Sequence, residues 1–273
     1  MYERLFGVTQ VGVLGLTIAR LSTIFSSQDT MTSSKPIYLI EGNIGVGKST
    51  LCDQFKTMPA SVVVCESVGN RFVQAFNNNR GRFAFALQMT QLTKRQYALQ
   101  LALARSDNTT TLIDRSLVGD FAFALWNAAS ANLAPDEWAL YCEQAGNKPQ
   151  LPKSSRRIIV VFLHDDVESC AFRQRRRDQY EIDTDYLAGV EAAHLVCLAC
   201  LDPSITVVEL YWREYARDHA NTDFLNDAVR DTTTVLQRRE TFKDRARQAV
   251  LALSNTRAQQ YLLDYLDDYI DSS

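Results

Sequence analysis

The chain has 273 residues, 46% of them hydrophobic, enough for one sizeable core in one large domain or in a domain with extensions. A formal net charge of −3 excludes a global attraction to nucleic acid, although not a local basic site. The six cysteines show no metal-ligand spacing. Cys197 and Cys200 form a C-x-x-C inside the apolar segment AAHLVCLACL, which reads better as a buried helical face, and reduced thiols fit an intracellular protein.

Residues 1–34 differ in character from the rest of the chain. Leu5–Ala19 is apolar and glycine-punctuated, flanked by Arg4 and Arg20, and shorter than the ~20 residues a membrane span needs. It reads as a poor signal peptide, a weak organelle transit segment or a tail; Glu3 and Asp29 speak against transit, and Met31 is an alternative start. The segment is set outside the fold. A cytoplasmic location is expected, with a mitochondrial one, through this extension, as the alternative.

Five runs rich in Ile, Val or Leu then read as strands: Ile37–Glu41, Ser61–Cys65, Thr111–Asp114, Ile158–Leu163 and Ile205–Leu210. None alternates cleanly, which suits strands buried on both faces. Helical stretches lie between them at Ser49–Lys56, Phe83–Arg105, Gly119–Ala131, Asp136–Ala145 and Val167–Asp178. This alternation predicts an α/β fold, a five-stranded parallel sheet flanked by helices. The domain is expected over 35–215. Residues 216–273 turn polar and helical, ending in YLLDYLDDYIDSS, and read as a helical appendage.

The first strand runs into EGNIGVGKST, where Gly42 to Ser49 fits G-x-x-x-x-G-K-[ST] between a strand and a helix. Gly42, Gly45 and Gly47, with Asn43, Ile44 and Val46 between them, let backbone N–H groups converge on phosphate oxygens. Lys48 reaches the outer phosphates, Ser49 offers a hydroxyl to Mg²⁺, and Thr50 completes the nucleotide-binding stretch. The ligand of such a loop is a nucleoside triphosphate, ATP by preference. In an open parallel sheet the site lies beyond the carboxyl ends of the strands. There stand Glu66 after the second strand and Asp114-Arg115 after the third. A carboxylate base, an arginine and a metal ligand are the residue types phosphoryl transfer requires.

EGNIGVGKST, Glu66-Ser-Val, FALQ at Phe85–Gln88, DRSLVGD at Asp114–Asp120 and the arginine run Arg173–Arg177 occur in that order. Over roughly Lys35 to Trp212 this resembles the deoxynucleoside kinases: deoxycytidine, deoxyguanosine and deoxyadenosine kinases, mitochondrial-type thymidine kinase and the insect multisubstrate enzyme. The compact spacing from Glu66 to Gln88 is most similar to the bacterial and viral deoxypurine kinase branch. The resemblance implies a P-loop NTPase-type fold with an arginine-rich helical lid, and ATP-dependent phosphorylation of a deoxynucleoside 5′-hydroxyl in nucleotide salvage, a deoxypurine or deoxycytidine preferred. It implies ATP and Mg²⁺ as cofactors and a small-molecule deoxynucleoside as partner, with a homodimer expected and neither nucleic acid nor membrane contact. By resemblance, Glu66 is the general base, Arg115 steadies the transferring phosphoryl beside Lys48, and Asp114 binds Mg²⁺ with Ser49. Gln88 meets the base edge, Arg95 and Asp120 pair beside it, and Glu181 meets the sugar 3′-hydroxyl. Arg173, Arg175, Arg176 and Arg177 lie on the lid helix, Arg173 and Arg177 on one face. Three features depart from the family pattern: Ser67 replaces a common proline, Asn77 falls near a family tyrosine that holds the 3′-hydroxyl, and the lid spacing is one residue out of step.

Three other readings stay open on the sequence alone: a thymidine kinase of the same family, a nucleoside monophosphate kinase, and a non-catalytic subunit with the same fold. Against the second stands Glu66, since a phosphate acceptor is already ionised and needs no base.

Overall fold

Strand runs without alternation require cover on both faces, and the chain supplies it. The computed structural model describes residues 35–56, 60–66, 70–105, 109–177, 181–211 and 232–270, with the backbone alone for Gln54, Asn70, Ile270 and 232–240. The expected extension 1–34, Ser67 and the expected boundary near 215 lie outside the described residues. Strands β1 (Ile37–Gly42), β2 (Ser61–Val64), β3 (Thr110–Asp114), β4 (Ile158–His164) and β5 (Thr206–Tyr211) form one sheet of order β2-β3-β1-β4-β5. Every pairing is parallel, with Ile40 opposite Asp114 and Gly42 opposite Leu163. Each strand predicted from the sequence is present, its ends within one residue.

Side chains of β1 alternate between two cores. Tyr38 and Ile40 pack with Val46, Leu51 and Phe55 of the phosphate loop and α1 (Lys48–Phe55), together with Val161 and Leu163. Ile37 and Leu39 face the larger core with Ile113, Val160 and Phe162. That core is roofed by α3 (Arg80–Ala104), α4 (Leu117–Ala129) and α7 (Thr184–Ala199), with α2 (Asn70–Asn78), α5 (Pro135–Ala145) and α6 (Val167–Arg177) alongside. Cys197 on α7 and Cys200 at its cap are buried, as the apolar context predicts. The sequence reading omitted α2, and its apolar Phe72, Val73 and Phe76 share one face.

The C-terminal helices α8 (Thr232–Leu251) and α9 (Thr256–Ile270) are helical as expected, but they do not stand apart from the core. Phe242, Ala246, Val250, Leu253, Ala258, Leu262, Tyr265 and Leu266 are buried in the larger core. Arg245 of α8 holds both oxygens of Glu209 on β5 at 2.6 and 2.8 Å, and Tyr265 donates to Asn147 O at 2.7 Å. An amphipathic tail reads as an appendage because its polar face dominates its composition, whereas its apolar stripe is core. Among the described residues no helix is long and apolar enough to cross a membrane.

Parallel alignment leaves the amino ends of the strands to be closed separately. Buried Arg156 does this, donating to the carbonyl oxygens of Lys35, Pro36, Ala102 and Thr109 and to the Thr111 hydroxyl. The carboxyl ends stay open and carry the site.

Candidate active site

The loop after β1 is shaped by two close approaches. Gly42 has φ +135°, and a Cβ there would lie 2.1 Å from Leu163 O; Gly45 has φ +78°, and a Cβ would lie 2.2 Å from Cys170 O. Neither position admits a side chain. Asn43 fastens the loop instead of facing it: Nδ2 donates to Leu187 O at 2.8 Å and Oδ1 accepts from Ile44 N at 2.8 Å. Val46 is a core residue, and Thr50 is exposed on α1. Lys48 is buried, its Nζ donating to Gly42 O at 3.0 Å and Asn43 O at 2.6 Å. Burial, with the charge of Arg115, lowers its pKa to about 7 against the pull of Asp114 and Glu66.

Ser49 Oγ donates to Asp114 Oδ2 at 3.5 Å, and buried Asp114 Oδ1 has no hydrogen-bond partner. A hydroxyl and a carboxylate with free valence, next to a phosphate loop, fit Mg²⁺, which takes one or two protein oxygens and completes its shell with phosphates and water.

Across the loop stand Glu66 and Arg115. Arg115 is a non-glycine residue with φ +65°, a conformation that persists only where the surroundings impose it. From there Nε reaches Glu66 Oε2 at 3.2 Å and Nη1 reaches Gly42 O at 2.9 Å, with the guanidinium 4.6 Å above the Phe123 ring. Arg95 Nη2 donates to Glu66 Oε1 at 2.7 Å. Burial works to raise the Glu66 carboxyl, but Arg115, Arg95 and Lys48 together hold it down at about 2. Arg95 turns its other edge to Asp120, which also accepts from Tyr141 Oη at 2.7 Å. Asp120 is fully buried behind Arg95 and does not line the cavity, so it meets a ligand only through Arg95.

These residues border a cavity of about 590 Å³. Gln88, Gln91 and Arg95, at helical spacing on α3, line it together with Phe76, Asn77, Phe123 and Tyr186. Gln88, Arg95, Glu66, Lys48, Ser49, Asp114 and Arg115, gathered from the sequence, all line this one space. Phe76, Phe123 and Tyr186 were not singled out. Aromatics on apolar helix faces are indistinguishable from core in a sequence, although ESVGNRFVQAF carries the helical period of α2. Buried Asn77 Nδ2 has no hydrogen-bond partner and lines the cavity.

The lid arginines separate. Arg173 Nε donates to Gly45 O at 2.6 Å and Nη2 pairs with Asp165 at 2.8 Å, while Arg177 lines the cavity. Arg175 pairs with Glu181 at 2.8 Å, both exposed, and Arg176 lies over the Phe172 ring on the surface. Of these residues only Arg177 lines the cavity: Arg173 is held against the loop at Gly45, and Arg175, Arg176 and Glu181 are not brought to it.

The sheet order, the glycine-spaced loop and the carboxylate–arginine pair at its mouth define an α/β protein of the P-loop kinase-like class. Residues 38–235 match the family model for deoxynucleoside kinase, and the chain belongs to that family. A solved structure of deoxyadenosine kinase from M. mycoides, with the products dCMP and a flexible dCDP bound, is similar in fold. Its TM-score is 0.53 at 18% sequence identity, covering 75% of this chain and 99% of that one. No curated protein matches this chain. The protein is a deoxynucleoside kinase.

Proposed function

We propose that the protein transfers the γ-phosphoryl group of ATP to the 5′-hydroxyl of a deoxynucleoside, with deoxyadenosine, deoxyguanosine or deoxycytidine preferred over thymidine. The observation that carries this reading is the shared contact of Arg115 and Arg95 with Glu66 at the mouth of the cavity, across from Lys48. The nucleoside enters the cavity with its base edge against Gln88 and Arg95 and its 5′-hydroxyl at Glu66. The hydroxyl oxygen attacks the γ-phosphorus, its proton passes to Glu66, and the bond to the β-phosphate oxygen breaks to release ADP. Glu66, held ionised, accepts this proton late, as suits a loose transition state in which charge spreads over the transferring group. Arg115 and Lys48 meet that charge, and Arg173 and Arg177 belong to the lid over the phosphates. Ser49 and Asp114 would hold Mg²⁺, which would supply positive charge to the outer phosphate oxygens.

The test is purified protein with Mg-ATP against the four natural deoxynucleosides. Formation of monophosphate and ADP in equal amounts is the expected result; no turnover on any of the four overturns the reading. The same reading includes a homodimer, supported by exposed Tyr97 and Leu101 on α3 and Leu140 on the adjacent α5. Sedimentation measures it.

A further inference from the structure

Glu41, the last residue before Gly42, has no part in the chemistry above and does not line the cavity, yet it is a wholly buried carboxylate beside it. Its Oε1 accepts from Ser116 N at 2.7 Å and from Ser116 Oγ at 2.5 Å. Ser116 Oγ in turn accepts from Val118 N at 3.2 Å, capping α4. The residue between β3 and this capped serine is Arg115, with its left-handed backbone. One side of that backbone is held by Arg115 N donating to Ile40 O at 3.0 Å; the other is held by Glu41 through the next peptide.

We propose that Glu41 is a positioning residue, whose carboxyl clamps Ser116 and thereby keeps Arg115 in the conformation from which its guanidinium reaches Glu66 and the phosphate loop. Gly119 is part of the device. A Cβ at that position would lie 2.1 Å from Glu41 Oε2, so any side chain there drives the carboxyl off Ser116. Oε2 itself is buried without a hydrogen-bond partner, so the clamp works through Oε1 alone. Burial pushes the carboxyl above the usual carboxylate range, against the Ser116 hydroxyl and the charges of Arg115 and Arg95. Glutamine imitates such a group: it keeps one acceptor oxygen for Ser116.

The kinetic readout rests on the kinase reading. The experiment compares Glu41→Gln, Glu41→Ala, Gly119→Ala and the double variant, with Glu41→Ala repeated in an Arg115→Ala background. Displacing a group by about 1 Å costs up to ~10²-fold in rate. Glu41→Ala is expected to lose kcat on that scale while the nucleoside KM changes much less, and Glu41→Gln to recover most of the loss. Gly119→Ala lowers kcat alone but costs nothing further once Glu41 is alanine, because the clash has gone. Glu41→Ala costs nothing further once Arg115 is alanine. Unchanged kcat in Glu41→Ala, a glutamine as poor as alanine, or full additivity with Arg115→Ala each overturns the proposal. If Glu41→Ala does not fold, Glu41→Gln and Gly119→Ala still decide it. A wild-type protein inactive on all four deoxynucleosides sinks the kinase reading alone. The clamp is then judged by the Arg115 backbone in a Glu41→Ala crystal structure, where φ remaining positive overturns it.

Discussion

Arg95 Nη2 lies 2.7 Å from Glu66 Oε1, so the arginine beside the proposed base pocket also holds the carboxylate proposed to face the 5′-hydroxyl. Its far edge is spent on Asp120, which Tyr141 holds in turn. On the proposed reading, recognition and chemistry share one guanidinium, and a change on the recognition side is expected to be felt at Glu66.

The preference among bases tests this directly. In the proposed pose the buried Arg95 guanidinium donates to the ring-nitrogen or carbonyl acceptors of an adenine, guanine or cytosine edge, and Gln91 narrows the wall beside it. In that pose thymine would set a methyl group there, and desolvating a charged pair against a methyl is unfavourable. Arg95→Met with Asp120→Ala is expected to shift the kcat/KM ratio towards thymidine, while lowering the rate for every substrate because Glu66 loses one of its two arginines. Each single change does worse: Arg95→Met leaves the buried Asp120 carboxylate without its cation, a loss that costs about 3–5 kcal/mol, and Asp120→Ala leaves the Arg95 guanidinium with Glu66 as its ion-pair partner. Thymidine exceeding the other three in the wild-type protein refutes the preference.

Glu66→Gln retains shape but cannot take the proton. A general base contributes ~10²–10⁴ in rate. The rate should fall on that scale while nucleoside binding, measured by calorimetry, survives. Because its pKa is held near 2, Glu66 is ionised throughout the neutral range. The wild-type to variant rate ratio is therefore expected to stay constant between about pH 5 and pH 8. Loss of affinity with kcat retained would make Glu66 a binding residue only.

Lys48 makes a different pH prediction. Burial and Arg115 bring its pKa to about 7 in the ligand-free protein. Triphosphate anions favour the charged amine and raise that pKa, so ATP binding takes up a proton. The uptake vanishes well below pH 7, where the amine is already charged, and grows as pH rises past it. Calorimetry in two buffers of different ionisation enthalpy measures the uptake. Lys48→Ala should abolish it and lower turnover by ~10²–10³-fold. Equal heats in both buffers at pH 8 would refute the lowered pKa.

The sheet was legible because buried parallel strands leave unbroken Ile/Val runs, and the loop because its chemistry is local. Glu66, Arg115 and Gln88 were legible as parts of ordered motifs. Glu41 was not, since its partners Ser116 and Gly119 lie about 75 residues away in sequence and meet it only through the β1–β3 register. Tyr186 and Phe123 look like core in any helix pattern. Asp120 was placed beside the base, but a sequence does not say which of two paired charges faces the cavity.

At the closed end of the sheet, Arg156 makes the opposite kind of prediction. Arg156→Met removes a charged donor from the carbonyls of Ala102, Pro36 and Thr109. A hydrogen bond to a charged group is worth ~1.5–3 kcal/mol, so a loss of about 3 kcal/mol or more is expected. Lysine should not rescue it, because one ammonium cannot serve the spread of acceptors that a guanidinium fork reaches. Urea unfolding gives the stability, and kcat per folded molecule should be unchanged, because the amino ends of the strands lie opposite the site.

The C-terminal helices separate core from appendage most sharply. Leu262 of α9 is fully buried among the core residues of α4 and α7, whereas Leu251 at the end of α8 is 63% exposed. Both are leucines on the same helical pair, so propensity and composition cancel in the comparison. Deleting a buried leucine side chain costs the transfer energy plus the cavity it leaves, about 2–5 kcal/mol. Leu262→Ala is expected to lose stability on that scale, with kcat per folded molecule retained. Leu251→Ala should change it by less than about 0.5 kcal/mol, the range of exposed substitutions. Both values come from the midpoint and slope of urea unfolding. Equal, small effects for the two would mean that α9 docks weakly and that residues 232–270 are an appendage after all.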